Sequence, residues 1–340
     1  MSKKFIQLWS HRYRKYTHIA KAYWHFLLIY FRLKWLKMSK LRQKKIIAIV
    51  LTQQFGDIVA GEPISRQVRA KHPNDYLIWL VKPIFAELLE MNPNIDETLK
   101  EFCANQRRLL LKSGVFDKIY NLQLRNNSHC PVCGVFVDNQ DADNQGITIH
   151  NYYFHGNLLS VQQKIAGLPI QDFSPKIYIS EAHKKRIDAL NLPKKFIAIH
   201  CQSNQASRDW SAEKWEELVY WILSQLIDYQ VVEVGLSSNL NIKNDRYLNL
   251  CGKLNLLETA EVIRRAKLYI GIDSGPAHLA NAVGTFGVIM IGKLGNFTNH
   301  IPYSGDYGTG KNAVIVRNTD GASAEISVEI VIETIKNKIS

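Results

Sequence analysis

Hydrophobic and polar positions along this chain fall into two series of alternating strand-like and helix-like patterns, preceded by a segment of a different kind. Ile46–Leu51 is an unbroken apolar run of strand length, and 57–72 carries helical spacing that stops before Pro73. A strand at 76–81, helices at 83–91 and 101–112, and a strand at 117–123 continue the rhythm. Residues 125–151, rich in Asn, Asp, Gln and Gly, break it as a loop or insertion, and a helix at 157–166 and a short strand near 176–179 close the first series. A connector near 180–194 leads to the second series: strand 196–201, helix 211–226, strand 230–234, helix 256–266, strand 268–272, helix 276–283 and strand 286–291. A last helix at 324–338 is a candidate to pack back on the first half. Such alternation predicts an α/β protein of parallel sheets covered by helices. It divides into two Rossmann-like, doubly wound domains, 46–180 and 181–340, with a ligand cleft between them at the carboxyl ends of the strands.

Residues 1–45 read as a basic amphipathic helical extension, with Phe5, Trp9, Tyr13, Tyr16, Ala20, Tyr23, Leu27 and Tyr30 at spacings of three or four. Their most apolar run, Tyr23–Phe31, is nine residues long and contains His25, whereas a bilayer crossing needs ~20 apolar residues. Aromatics interleaved with Lys and Arg suit a helix lying on an anionic membrane surface. Packing of the stripe on the protein itself, or a basic arm for nucleic acid, are the alternatives.

Charge changes the picture once it is located. The chain of 340 residues has a net charge of +13, but residues 1–45 hold 13 Lys or Arg and no acid, and the remainder carries 30 basic and 30 acidic residues. The body is neutral, so nucleic acid is not an expected partner. Five cysteines in an odd, scattered set and the absence of a small-residue cleavage site near the N-terminus favour the cytoplasm.

The densest chemistry lies in Tyr269-Ile-Gly-Ile-Asp-Ser-Gly-Pro-Ala-His-Leu-Ala-Asn-Ala-Val-Gly284. A buried strand runs into Asp273-Ser274-Gly275-Pro276 and then into a helix with His278 in its first turn. Helix N-termini present unpaired amides and a partial positive charge, which suits a phosphorylated ligand. Residues 273–284 resemble the signature of glycosyltransferase family 9, the heptosyltransferases. Ile46–Ile58, with Gly56-Asp57, resembles the family's first strand and loop, and Gly252–Ile263 resembles the segment leading into the signature. The likeness covers about 46–340 and leaves the basic extension outside it.

That resemblance implies the GT-B arrangement and inverting, metal-independent transfer of a sugar from a nucleotide donor. Asp57 is then the general base that takes the proton of the acceptor hydroxyl, with N-capping of the following helix as its alternative role. Asp273, Ser274, Gly275, Pro276 and His278 form the donor-binding turn, where preorganised donors meet the charge of the departing diphosphate. Arg208 stands where the family usually has Lys-x-Trp, here Arg208-Asp209-Trp210, and its alternative is a surface pair with Asp209. Ser203 and Asn204 are weaker phosphate contacts. Asn239 replaces the acid that often holds the ribose in relatives, and Leu254 matches a base-contacting position.

No cofactor or metal is expected beyond the nucleotide-sugar co-substrate, ADP-heptose in the form the family implies. Cys130-Pro-Val-Cys133 has zinc-knuckle spacing beside His129, but a single C-x-x-C is a weak signal, and Asp141-Ala-Asp143 is an acid pair of a kind common by chance. The expected function is heptose transfer onto a lipopolysaccharide core or related surface glycan, by a cytoplasmic protein peripheral on the inner face of the inner membrane. Use of another nucleotide sugar for capsule or protein glycosylation, and a non-catalytic membrane-docked family member, are the alternatives.

Overall fold

The computed structural model describes residues 3–124, 129–136, 139–205 and 208–339, and the chain groups into two compact units. Unit 1 comprises Met1–Gln53, Ile64–Ile149 and Gln162–Pro169; unit 2 comprises Gln54–Pro63, His150–Val161 and Ile170–Ser340. The units interleave along the chain, so helix α2 (Phe55–Lys71) begins in unit 2 and ends in unit 1.

Unit 1 is built on a parallel sheet of β1 (Ile46–Val50), β2 (Tyr76–Val81), β3 (Glu97–Lys100) and β4 (Lys118–Asn121), ordered β3-β2-β1-β4. The all-apolar β1 is buried along its whole length, as expected of a strand covered on both faces. Helix α1 (Lys3–Ser39) packs on this unit, next to α3 (Ala104–Lys112). Ala22 and Leu33 are fully buried, and Phe26, Ile29 and Leu36 are packed beside them at helical spacing. Burying one such leucine stabilises by about 2 kcal/mol. Arg32 holds the Glu97 carboxylate with both ends of its guanidinium, and Lys37 Nζ lies 2.7 Å from Asp117 Oδ2.

The packed stripe of α1 is therefore mostly different from the aromatic stripe read in the sequence, of which Tyr30 packs on the core. Trp9, Tyr13, Tyr16, Tyr23 and Leu27 are exposed, as are Trp24, Phe31 and Trp35, while the side chain of Phe5 lies outside the described residues. No described helix is long and apolar enough to cross a membrane.

Unit 2 contains a six-stranded parallel sheet: β5 (Phe196–His200), β6 (Gln230–Glu233), β7 (Tyr247–Asn249), β8 (Leu268–Ile272), β9 (Gly287–Ile291) and β10 (Ala313–Arg317). Their order is β10-β9-β8-β5-β6-β7. The chain proceeds outward from β5 to β7 and then returns to β8 on the other side of β5, which creates a topological switch point between β5 and β8. Helices α4 (Leu158–Ile165), α5 (Glu181–Asp188), α6 (Ala212–Gln225), α7 (Leu256–Arg265), α8 (Gly275–Val283) and α9 (Val328–Ile339) follow one another along the chain. Ser180, Ser211 and Asn255 cap α5, α6 and α7, the last through a reciprocal capping box with Glu258. Trp215, Leu218 and Ile222 of α6 meet Val331 and Ile335 of α9 in the core. The last helix packs within unit 2, against α6, β9 and β10.

Three strands escape the periodicity, and one expected strand does not form. β3 reads Glu-Thr-Leu-Lys and β7 is three residues long, since half-exposed edge strands need no apolar run; β10, at the opposite edge, is by contrast the apolar run Ala-Val-Ile-Val-Arg, which the alternation above passes over. Residues 176–179 are irregular: the Lys176 amide donates to the Glu62 carboxylate at 2.9 Å rather than to a strand.

Candidate active site

The site begins where β8 ends. Leu268–Ile272 is fully buried, and the Asp273 amide still donates to the Met290 carbonyl at 3.1 Å, so the turn leaves from a fixed strand end. Ser274 is the N-cap of α8 in extended conformation, and Pro276 occupies the first turn, where its missing N–H leaves no acceptor unmet. The Ser274 hydroxyl does not cap the helix. It lies 3.1 Å from both the Ile272 carbonyl and His200 Nδ1. A hydroxyl has one proton; given to Ile272, it leaves His200 as the Nδ1–H tautomer donating to Ser274. The amides at the start of α8 consequently lack the side-chain partner that Ser at an N-cap usually supplies.

His200 terminates β5 and Asp273 follows β8, so this bond spans the topological switch point of the sheet. Burial lowers His200 to about 4. His278 is also lowered to about 4, by burial first, with Asp273 opposing and Arg208 adding to the effect. Both imidazoles are neutral at neutral pH and act as hydrogen-bonding groups, not as cations. The cation bonded to the turn is Arg208, whose Nη1 donates to the Asp273 carbonyl at 3.0 Å and lies 3.5 Å from Asp273 Oδ2.

Asp273 is buried, and burial pushes its carboxyl up, but His300, Arg208 and His278 outweigh burial and hold it below the ordinary range. It is ionised inside the protein. Tyr303 donates to Oδ1 at 3.1 Å, and His300 Nε2 stands 3.9 Å from Oδ2. Tyr303 also packs on His278, ring centroids 4.7 Å apart.

The start of α2 faces the start of α8. A Cβ on Gly56 would lie 3.0 Å from the His278 ring, and a Cβ on Gly275 would fall 1.9 Å from Phe55 Cζ, inside the phenyl ring. Glycine at both positions leaves room for the two helix N-termini to approach this closely without moving His278 or Phe55. Asp57 is the third residue of α2 and accepts from the Gln54 amide at 3.2 Å, a bond that reaches back across the helix start. Its side chain is partly exposed. Tyr152 and Tyr153 feel Asp57, Asp273 and Arg208 together: burial first, with both carboxylates adding, pushes Tyr152 up to about 12 and Tyr153 well above the ordinary tyrosine range.

Asp57, Arg208, Asp273, Ser274, Gly275, Pro276 and His278 therefore meet in one place within unit 2. Arg208 pairs with Asp273 and not with its neighbour Asp209, which accepts from the Ser203 amide at 2.8 Å. The Ser203 hydroxyl is engaged with Gln205 inside the loop, and Asn204 is exposed. Asn239 is exposed in the loop after β6, and Leu254 is partly buried after β7. Gly235, in the same loop as Asn239, packs on His200, since a Cβ there would lie 3.2 Å from its ring. Tyr152, Tyr153, His300 and Tyr303 have no motif that announces them. His200 had one signal: a titratable residue at the carboxyl end of a buried strand.

These features define an α/β protein of the GT-B class, with two parallel sheets matching solved glycosyltransferases. The chain superposes on a glycosyltransferase of family 9 from Veillonella parvula with TM-score 0.64 at 17% identity, covering 86% of this chain and 96% of that one. It superposes on the ADP-heptose lipopolysaccharide heptosyltransferase II of E. coli with TM-score 0.61 at 20% identity, covering 86% and 98%. In sequence it is 22% identical over 267 residues to the lipopolysaccharide core heptosyltransferase OpsX of Haemophilus influenzae, covering 71% of this chain and 77% of that protein. Residues 156–327 match the family model of glycosyltransferase family 9 (heptosyltransferase), and the chain belongs to that family of enzymes.

Proposed function

We propose that the protein transfers heptose from ADP-heptose onto a lipopolysaccharide core, with inversion at the anomeric carbon and without a catalytic metal. The observation that carries this reading is the approach of the α2 and α8 N-termini, which gathers a carboxylate, a bound guanidinium and uncapped amides in one place. In this account the donor diphosphate lies on the first amides of α8, with Gly275 permitting close approach and Arg208 neutralising the phosphate. Asp273 orients Arg208 and the turn, so its charge is spent on the protein rather than on the ligand. Neutral His278 supplies a hydrogen bond to the departing diphosphate, while Ser274, its proton spent on the Ile272 carbonyl, holds the turn in shape. Asp57 takes the proton of the acceptor hydroxyl as that oxygen attacks the anomeric carbon. Its bond to the Gln54 amide fixes its orientation, so the capping and catalytic roles are compatible.

Asn239 supports a second donor reading. An amide in place of an acid can still bond a ribose hydroxyl, but it relaxes the grip on one particular nucleotide. Calorimetry with ADP, UDP and GDP separates the two: tightest binding of ADP supports the heptose form, and preference for UDP or GDP removes it.

The exposed face of α1 supports placement at the cytoplasmic face of the inner membrane. Trp9, Tyr13, Tyr16, Trp24 and Trp35 are exposed on a helix that also carries Arg12, Arg14, Lys15 and Lys21. Aromatic rings at headgroup depth and cations toward anionic lipid are the two contributions such a helix makes. Because the opposite stripe is already built into unit 1, docking there would need no refolding.

A further inference from the structure

We infer that unit 1 holds a structural zinc ion, ligated by His18, Cys103, Cys130 and Cys133. Among the described residues these four bring one Nε2 or Nδ1 and three Sγ atoms within 4.8 Å of one another, and His18 Nε2 lies 3.3 Å from Cys130 Sγ. The three cysteines are buried and His18 is half-buried. Zn–S bonds of about 2.3 Å and Zn–N bonds of about 2.0 Å separate tetrahedral ligand atoms by roughly 3.5 Å, so small side-chain adjustments close the site.

The ligands come from three separate parts of the chain: α1, the start of α3, and the segment 129–136. That last segment folds as a metal knuckle. His129 and Phe136 pair antiparallel, the Cys130 amide donates to the Val135 carbonyl at 3.0 Å, and the Gly134 amide to the Cys130 carbonyl at 2.8 Å. Gly134 closes the turn at φ +72°, a conformation that residues with a side chain rarely adopt. Cys103 occupies the N-cap of α3, at the positive end of that helix.

Buried thiols also serve as small apolar filler. Filler explains each cysteine singly, but it does not explain why three sulfurs converge on an imidazole from a helix more than eighty residues earlier. Nor does it explain a tight, backbone-bonded turn that brings two of them together. The ligand set of three thiolates and one imidazole leaves no open position, which is the character of a structural site, and its borderline-soft donors select zinc over magnesium or calcium. On binding, the three thiols release their protons to solvent while His18 ligates as the neutral ring. The site would lock α1 to unit 1: Phe102, next to Cys103, stacks between His18 at 4.9 Å and His25 at 4.5 Å, on the same face of the helix. Zinc here is remote in role from sugar transfer and leaves the catalytic proposal metal-independent.

The test uses the full chain purified without added metal or chelator. Elemental analysis should find about one zinc per chain, and the Cys130→Ser/Cys133→Ser variant only traces. Because that variant is at risk of misfolding, the wild-type protein is also stripped with a chelator and titrated with Co²⁺. Intense tetrahedral d–d bands with thiolate-to-cobalt charge transfer are expected, and the charge transfer should persist with altered d–d bands in His18→Gln. Stripping should also expose α1 to protease, and zinc should restore its protection. Wild-type protein that carries no zinc and gives only the weak spectrum of octahedral cobalt would overturn the inference.

Discussion

The two sheets reverse direction at equivalent places and fill the reversal with different chemistry. In unit 1 the chain runs β1 to β3 and returns to β4 on the other side of β1, as unit 2 does around β5. At the carboxyl edge of unit 1, the buried charge is spent inside the unit, although Gln53 Nε2 and Gln123 Oε1 lack a hydrogen-bond partner among the described residues. Arg107 pairs with Glu101 and Thr52, the Gln123 amide donates to Thr52 at 2.5 Å, and the Asn139 amide bonds the Asn121 carbonyl at 3.0 Å and the Gln123 carbonyl at 2.6 Å. At the corresponding edge of unit 2, a helix N-terminus is left uncapped beside imidazoles and a guanidinium. Ser274 declines to cap its helix, and both ring nitrogens of buried His300 lack a hydrogen-bond partner among the described residues. A carboxyl edge at a switch point is thus only the location of a site. An uncapped helix N-terminus beside a guanidinium and neutral imidazoles makes it one.

The largest stability effect is expected in the closed network. Arg107→Met strands the buried Glu101 carboxylate and should cost about 3–5 kcal/mol in urea denaturation while leaving ADP affinity unchanged. A fall in ADP affinity without loss of stability would erase the distinction between the edges. Acid should act mainly through unit 2. His200 and His278 are held near 4 in the folded protein and titrate near ~6.5 when unfolded, so the unfolded state binds more protons between those values. Stability should therefore fall as pH drops from about 6.5 to 4, by up to about 3 kcal/mol per histidine; equilibrium denaturation of wild type beside His278→Gln measures it.

Arg208→Ala should weaken ADP binding by about 10–100-fold, the value of a charge-assisted bond, with a change in thermal stability smaller than that of Arg107→Met. The smallest effect belongs to α1. Replacing exposed Tyr13 and Tyr16 with Ser should reduce sedimentation with anionic vesicles several-fold, on the order of 1 kcal/mol, without altering ADP binding. Unchanged vesicle binding would send that face to another role.

Much of this was legible in the sequence, for identifiable reasons. Buried strands such as Ile46–Val50 and Leu268–Ile272 are continuous apolar runs, and the turn at Asp273 is compact enough to be read whole. Arg208 was found by its place in a motif, although its partner proved to be Asp273 rather than Asp209. Tyr152, Tyr153, His300 and Tyr303 were not legible, because they reach the site through packing between segments distant in sequence. The same holds for His18, which the sequence places in a basic extension and the fold places beside Cys130. Periodicity also named the exposed stripe of α1 and passed over the buried one, since Tyr and Trp mark a helix face without saying what covers it.

The central claim is that the opposed N-termini of α2 and α8 place a base at Asp57 beside the donor turn. Single-turnover transfer and ADP calorimetry on Asp57→Asn test it together. The account predicts a rate lower by about 10³-fold with ADP affinity within about twofold of wild type. Transfer at an undiminished rate would contradict it.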